Sequence, residues 1–190
     1  MRAADERVIV GRASPTISGI DDMATIHLIE GPVGAGKSTF GSKLAREVSG
    51  IHVALDAWFV RLFSPDRPTT DFVLWYQERK HRLLDLIWTH AVALLASGTI
   101  PVLELGLVRR SDRDAIYDRA DEAGVELRVY VLDAPRDVRR ERVRRRNSER
   151  GRTFSMVVPD AVFELASDAW ESPDDDEIQE RRIQLVASDG

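Results

Sequence analysis

The sequence predicts an α/β domain in which a parallel sheet is covered by helices on both faces. Short apolar segments of strand length alternate with longer segments of helical periodicity along most of the chain. One strand-to-helix junction, Gly31 to Ser38, is rich in glycine and ends in Lys-Ser. The length of 190 residues suits one domain with an ordinary core and is short for two.

Composition narrows the class of protein. The formal net charge of -5 argues against a general nucleic-acid binder, which would usually be basic. The absence of cysteine excludes disulfide bonds and thiolate zinc sites. The chain has no run of about 18 uncharged apolar residues and no recognisable signal peptide. We therefore expect a cytoplasmic protein, monomeric or homodimeric, that does not associate with a membrane.

The predicted elements follow in order from apolar periodicity and turn residues. Residues 1–22 have a mixed composition and are expected to form an N-terminal arm or an extra edge strand, whereas residues 23–190 form the domain. The predicted strands are Thr25–Glu30, Ile51–Leu55, Ile100–Leu105, Val125–Leu132 and one within Arg181–Ala187, and the predicted helices after the glycine-rich junction are about Asp71–Ser97, Ser111–Gly124, Arg136–Asn147 and Pro159–Trp170.

Three local features refine these boundaries. Ser111 is expected to begin its helix in a capping-box-like arrangement. Pro135 is expected to take the first helical position of the helix that follows. The acidic stretch from Glu171 to Glu177 is expected to be exposed to solvent.

The glycine-rich junction fits the phosphate-binding pattern G-x-x-x-x-G-K-[ST] at every required position. Glycine is needed because a side chain would obstruct the turn that points successive backbone N–H groups at phosphate oxygens. We expect Lys37 to reach the β and γ phosphates of ATP and the Ser38 hydroxyl to contact Mg²⁺. The alternative is a glycine-rich turn that binds nothing, which the helical spacing of the apolar residues after it disfavours. The predicted nucleotide-binding residues are Gly31, Val33, Gly34, Ala35, Gly36, Lys37, Ser38 and Thr39.

Two acidic residues come at the ends of predicted strands, where parallel sheets bind ligands. Asp56 follows the second strand and could take the proton from an acceptor hydroxyl; the alternative is a helix N-cap. Glu104 lies in an apolar strand, where a bare carboxylate is costly unless it meets a cation or hydrogen-bond donors. It is a candidate for holding Mg²⁺ or substrate. The alternative is an ordinary ion pair with one of three nearby arginines, Arg109, Arg110 or Arg113.

Nine arginines fall between Arg136 and Arg152. Arg142 and Arg146 are four residues apart and share a helix face, with Arg139 one turn earlier on roughly the same face. Such guanidinium groups can clamp a triphosphate and stabilise the phosphoryl group in flight. The alternatives are a solvated helix face or an RNA-contacting patch. Residues of about 147–158, around Gly151, are expected to form a closing lid.

These motifs together resemble the AAA-domain P-loop kinases, relatives of polynucleotide kinase, chloramphenicol phosphotransferase and the zeta toxins. The resemblance rests on GPVGAGKST, VLELGLVRRSDR, VLDAPRDVRRERVRRRN and WESPDDDE. It implies a three-layer fold with a five-stranded parallel sheet of order 2-3-1-4-5 and an arginine-bearing lid. It also implies that Asp56 is a general base and that Arg61 helps to hold substrate or phosphate. Two departures are a longer Asp-to-Arg spacing and Glu104 where the family more often has Asp.

The leading hypothesis is therefore a Mg²⁺- and ATP-dependent phosphotransferase that acts on a hydroxyl of a small molecule. The catalytic candidates are Lys37, Asp56, Arg142 and Arg146. An aromatic region, formed by Trp58, Phe59, Phe63 and Trp75, is expected to line the acceptor pocket. The alternatives are a nucleotide-binding regulator that transfers no phosphate and a polynucleotide 5'-hydroxyl kinase.

Overall fold

The first strand is buried along its whole length, as its apolar sequence predicts, and it lies at the centre of the sheet. A computed structural model describes residues 25–151, 154 and 156–187. Five parallel strands, numbered along the chain, pair in the order 2-3-1-4-5. The strands are β1 (Thr25–Glu30), β2 (Ile51–Ala54), β3 (Pro101–Glu104), β4 (Glu126–Asp133) and β5 (Gln184–Ala187). The predicted fold class and strand order are confirmed.

Helices cover both faces of this sheet. One face and its helices share the larger core, which includes Leu28, Leu103 and Ile87, and the other face packs Ile29 and Leu132 against the first helix. The helices are α1 (Lys37–Glu47), α2 (Leu55–Phe63), α3 (Phe72–Ala96), α4 (Arg110–Ala123), α5 (Arg136–Glu149), α6 (Asp160–Asp168) and α7 (Asp175–Glu180).

The second strand differs from its prediction. It is an edge strand, with 45% of Ile51 exposed, and it ends at Ala54. Leu55 is the first residue of α2 and packs into the larger core. Within this apolar strand only Val53 is buried, so an apolar sequence did not mean that the whole strand is buried.

The start of α4 also corrects a prediction. Its N-cap is Arg109, without a side-chain capping bond, so the capping-box role of Ser111 is wrong. The Arg110 backbone N–H instead donates to Glu171 Oε2 at 2.8 Å, from a distant segment. Pro135 is likewise the N-cap of α5 and not its first helical residue.

The prediction that the acidic stretch is exposed is wrong at Glu177. This carboxylate is fully buried in α7 and accepts from Arg113 Nε at 2.7 Å and Nη2 at 2.8 Å. Tyr117 donates its hydroxyl to the same carboxylate at 3.0 Å. A local run of acidic residues could not reveal this because the partners belong to α4, about 60 residues earlier.

Some predictions fall on parts of the chain outside this description. The N-terminal arm lies wholly outside the described residues, as do residues 152, 153 and 155 of the predicted lid. The helix α5 reaches Glu149, so the first part of the predicted lid is helical. In the portion of the chain that is described, no helix combines the length and apolar character needed to cross a membrane.

Candidate functional site

The loop between β1 and α1 is held in shape by its glycines. Gly31 and Gly34 have φ angles of 145° and 81°, in the region that disfavours side chains. A Cβ on Gly31 would collide with the carbonyl oxygen of Leu132, and one on Gly34 would lie 2.6 Å from the carbonyl oxygen of Arg139. The predicted need for glycine thus has a second cause, the close packing of the loop against β4 and α5.

The lysine of the loop lies over its own backbone. Lys37 Nζ donates to the carbonyl oxygens of Gly31 at 2.8 Å and Pro32 at 3.0 Å. Ala35 is buried beneath the loop, and Thr39 is exposed at its helical end. The N-terminus of α1 follows directly, so its positive dipole end and the ammonium group favour an anion at the same place.

Arg139 does not take the position that helical spacing predicted. It is buried, on the same face of α5 as Val143, and does not line the cavity as Arg142 and Arg146 do. Its Nη1 donates to the Val33 carbonyl oxygen at 3.0 Å and to Ser167 Oγ at 3.1 Å. Arg139 therefore supports the phosphate loop from behind. The one available sequence signal was its four-residue spacing from Val143.

Glu104 ends β3 directly beside the loop. Its Oε1 accepts from Ser38 Oγ at 3.0 Å, and its Oε2 lies 3.3 Å from His52 Nε2 on β2. The carboxylate therefore pairs with a serine and a histidine, and not with an arginine of the next helix. Burial acts to raise its pKa, but His52, Lys37 and Ser38 outweigh burial and lower the pKa below its ordinary value. Glu104 is consequently ionised at neutral pH.

The oxygen atoms of Ser38 and Glu104 fit a magnesium ion. Mg²⁺ prefers oxygen ligands and usually combines one or two protein groups with water and substrate phosphates. Within residues 25–151, 154 and 156–187, no group of three or more His, Asp or Glu side chains could hold a metal by itself. This donor set suits a metal that arrives with a phosphate, and not an all-protein cage.

Asp56 lies in the first turn of α2, one residue after the helix begins. The N-cap is Ala54, so the alternative role of Asp56 as N-cap is wrong. Asp56 is exposed to solvent, yet enough protein groups surround its carboxylate to shift its pKa. Desolvation and the charge of Glu104 raise its pKa, and Lys37, Lys80 and Arg146 partly oppose this rise. Asp56 therefore shares one electrostatic environment with the phosphate loop.

A cavity of about 500 Å³ opens between the phosphate loop and α5. Arg146 faces it with a buried Nε that has no hydrogen-bond partner among the described residues. Burial lowers the pKa of Arg146, and the charges of Asp56 and Glu104 oppose that effect. The cavity is lined by Gly34, Ala35, Gly36, Lys37, Ser38, Thr39, Phe40, Lys43, Glu104, Leu132, Arg142, Val143, Arg145, Arg146, Glu149, Gly151, Val186 and Ala187.

Other arginines of α5 face α6 instead. Arg136 pairs with Glu164 and with Asp168, Arg140 pairs with Glu164 at 2.6 Å, and Arg144 pairs with Asp160 at 2.6 Å. Apart from Arg139, the arginines of α5 therefore divide into a set that pairs with α6 and a set that lines the cavity. Sequence spacing alone did not separate the two sets.

Arg61 and the aromatic region do not line the cavity. Arg61 is exposed on α2 and is not among the residues that line the cavity. Phe59 is buried and packs against Phe63 and Trp75, at centroid distances of 5.1 Å and 5.7 Å. Phe59 of the predicted aromatic wall is therefore a core residue, and Trp58, Phe63 and Trp75 are partly buried against that core.

Sequence reasoning missed two further polar groups at the site. Lys80 on α3 donates to the Gly106 carbonyl oxygen at 3.0 Å and contributes to the electrostatic environment of Asp56. His52 lies beside Glu104. A single histidine in an edge strand and a lysine in a long helix have no local signature, so only the packing reveals them.

Several solved structures have the same fold as this chain. A gluconokinase from Sinorhizobium meliloti 1021 has a TM-score of 0.59 and 22% identity, covering 87% of this chain and 83% of its own. Chaetomium thermophilum Kti12 in complex with ADP-AlF3 has a TM-score of 0.63 and 17% identity, with 86% and 89% covered. A chain of the Pnkp1/Rnl/Hen1 RNA repair complex has a TM-score of 0.57 and 18% identity, with 87% of this chain but 47% of its own covered.

The family assignment rests on sequence. No curated protein sequence matches the chain significantly. The model of a family described as AAA domain matches residues 26–173, which include the phosphate loop, both strand-end carboxylates and the arginines of α5. The chain therefore belongs to the AAA domain family and has the nucleotide-binding fold of the P-loop kinases.

Proposed function

We propose that the protein is a magnesium-dependent kinase that transfers the γ-phosphate of ATP to a hydroxyl of a small molecule in the cytoplasm. The observation that supports this proposal best is that Asp56, which does not itself line the cavity, lies close enough to Lys37, Glu104 and Arg146 of that cavity for their charges to act on it. A protein that only holds nucleotide requires the loop. It does not require a carboxylate of raised pKa beside that loop.

Each residue has a distinct proposed role. Lys37 and the N–H groups of the loop bind the phosphates. Ser38 and Glu104 hold the magnesium ion, which when bound neutralises charge on the phosphate oxygens. Asp56 accepts the proton of the acceptor hydroxyl, and its raised pKa makes it a stronger base than an ordinary aspartate. Arg146, together with Arg142, stabilises charge on the transferred group.

A small acceptor is favoured over a polynucleotide. One structural neighbour belongs to an RNA repair complex, which makes a nucleic-acid acceptor worth testing. However, three α5 arginines that could bind a nucleic-acid backbone, Arg136, Arg140 and Arg144, are paired with acids of α6. Phosphate contacts supply much of the affinity for nucleic acids, so this pairing weakens the polynucleotide alternative.

The proposal is tested by replacing Asp56 with Asn. The acceptor is first identified by screening hydroxyl compounds for accelerated ADP release and by mass spectrometry of the product. D56N should then lower kcat by about 10²- to 10⁴-fold, the usual contribution of general-base catalysis, and leave ATP affinity unchanged. ATP affinity is measured by titration calorimetry, and D66N, at an exposed position just beyond α2, is the matched control.

Two results would contradict the proposal. Undiminished turnover in D56N with the true acceptor would remove Asp56 as general base. Tight ATP binding without acceptor-stimulated ADP release, across the whole screen, would instead identify a nucleotide-binding regulator.

A further inference from the structure

We propose that His52 is a positioning residue that holds the Glu104 carboxylate with one oxygen directed at Ser38. The proposal rests on the magnesium-binding part of the proposed function. His52 does not line the phosphate loop cavity, so we expect its effect on the metal to pass through Glu104.

Four side chains from three elements form a continuous chain of contacts. Ser42 Oγ lies 3.3 Å from His52 Nδ1, and His52 Nε2 lies 3.3 Å from Glu104 Oε2. Glu104 Oε1 in turn accepts from Ser38 Oγ at 3.0 Å. Ser38 and Ser42 are one turn apart on α1, so the contacts start and end on the same helix. The two carboxylate oxygens of Glu104 therefore have different partners.

The contacts define the tautomer of the imidazole. An ionised carboxylate only accepts hydrogen bonds, so the nitrogen that faces Glu104 carries the proton. In the neutral imidazole the other nitrogen, Nδ1, is then an acceptor, to which the Ser42 hydroxyl can donate. His52 Nε2 and Glu104 Oε2 are both buried and have no hydrogen bond of standard geometry among the described residues. Each of these two atoms therefore has the other, at 3.3 Å, as its polar contact.

The helix α1 leaves room for this imidazole. Gly41 lies in the middle of α1, where glycine normally weakens a helix. A Cβ at Gly41 would lie 2.6 Å from His52 Nε2 and 2.9 Å from its Cδ2. The glycine thus allows the ring to pass the helix and reach Glu104. This is a second observation, independent of the polar contacts, that the position of His52 is built into the fold.

The consequence concerns the orientation of the carboxylate. The Glu104 side chain is only 11% exposed, so an oxygen without a partner would be costly. With His52 in place, Oε2 has a polar contact at 3.3 Å and Oε1 points at Ser38. Without His52, rotation of the carboxylate toward other donors becomes favourable. Glu104 Oε1 and Ser38 Oγ would then no longer face the metal together. Groups that orient a metal ligand in this way commonly affect metal affinity strongly.

The test measures how much Mg²⁺ is needed to raise the affinity for ADP, using full-length protein. H52A should need roughly tenfold more Mg²⁺ for the half-maximal effect, and its affinity for ADP without metal should be unchanged. H52Q should recover most of the loss because the Gln amide nitrogen can occupy the place of Nε2. H52N should not, because its shorter amide reaches only toward Ser42.

Two further variants complete the design. G41A keeps every polar group but displaces the imidazole, so it should behave like H52A. H81A replaces an exposed histidine of α3 and should behave like the wild type. If H52A does not fold, the difference between H52Q and H52N still decides the question.

The outcomes separate this inference from the proposed function. A wild-type Mg²⁺ requirement in H52A, or equal defects in H52Q and H52N, would overturn the role of His52 alone. A wild-type protein that binds ADP without any effect of Mg²⁺ would overturn both proposals. Mg²⁺-dependent binding with the expected variant pattern, but no phosphorylated acceptor, would leave His52 as assigned and remove the kinase.

Discussion

At the scale of single residues, Glu30 is the most unusual group beside the phosphate loop. It ends β1 and is fully buried, with Oε2 accepting from the Leu107 backbone N–H at 3.2 Å. Its other oxygen has no hydrogen-bond partner among the described residues. Burial raises its pKa to about 8, despite the opposing charge of Lys37 and the hydrogen bond from Leu107. Glu30 is therefore mostly protonated at neutral pH in the folded protein.

This pKa predicts a pH dependence of stability. Between pH 4.5 and about 8 the folded state keeps a proton that the unfolded state has lost, so the free energy of unfolding falls as pH rises. At about 1.4 kcal/mol per pKa unit, the loss over the whole range is at most about 5 kcal/mol. E30Q cannot ionise and should lose this dependence. Urea unfolding at both ends of the range measures the effect.

The control for this prediction is E47Q, which alters an exposed glutamate in the last turn of α1. It should retain the wild-type dependence on pH. A slope in E30Q equal to that of the wild type would show that Glu30 is ionised in the folded protein.

At the scale of elements, the carboxyl-terminal part of the chain is joined to the rest by ionic contacts of two kinds. Arg113 of α4 and Glu177 of α7 form a fully buried pair. Glu171 adds a backbone hydrogen bond, from its N–H to the Val108 carbonyl oxygen at 3.0 Å. By contrast, Glu164 of α6 joins α5 through partly exposed pairs with Arg136 and Arg140. Burial distinguishes the two kinds of pair.

Breaking these pairs should have unequal effects on stability. E177A leaves the Arg113 guanidinium buried without its partner and should cost about 3–5 kcal/mol. E164A leaves its arginines open to water and should cost no more than about 1 kcal/mol. Chemical unfolding of both variants measures the difference in the free energy of unfolding. Equal losses would mean that the Arg113–Glu177 pair does not contribute through its burial.

At the scale of the whole molecule, the strand order assembles the site. The central β1 leads into the loop, β3 and β2 lie on one side of it and supply Glu104 and His52, and β4 leads into α5 on the other side. Residues far apart in sequence therefore meet at the carboxyl edge of the sheet. A nucleotide bound there would contact several elements of the fold at once.

Nucleotide binding should consequently stabilise the whole domain. With Mg²⁺ and ADP at 100 times the dissociation constant, linkage adds about 2.7 kcal/mol. For a protein of this length this amounts to a rise in Tm of roughly 5–11 °C. Differential scanning calorimetry measures the shift.

The matched variants for this measurement are K37A and R82A. K37A should lose most of the shift because its ammonium group is the charge nearest the predicted phosphates. R82A removes an exposed cation of α3 and should keep the shift. A full shift in K37A would place the nucleotide elsewhere.

Much of the fold was predictable from sequence because its signals are local. The phosphate loop is a contiguous pattern, and short apolar segments predicted all five strands. The carboxylates Asp56 and Glu104 were predicted as site residues because strand ends coincide with ligand sites in parallel sheets. The strand order came from the resemblance to a family and not from periodicity.

The tertiary structure alone decided the partners of charged residues. In α5 the four-residue spacing of Arg139 from Val143 was the one sequence signal for its burial, and this spacing does not reveal the partners of its guanidinium group. Glu177 looked like part of a solvated acidic run, and His52 had no motif, because their partners lie on elements distant in sequence. Local chain preferences determine where strands, helices and the loop form. Which charges become buried and paired depends on how those elements pack, and this is a property of the folded molecule.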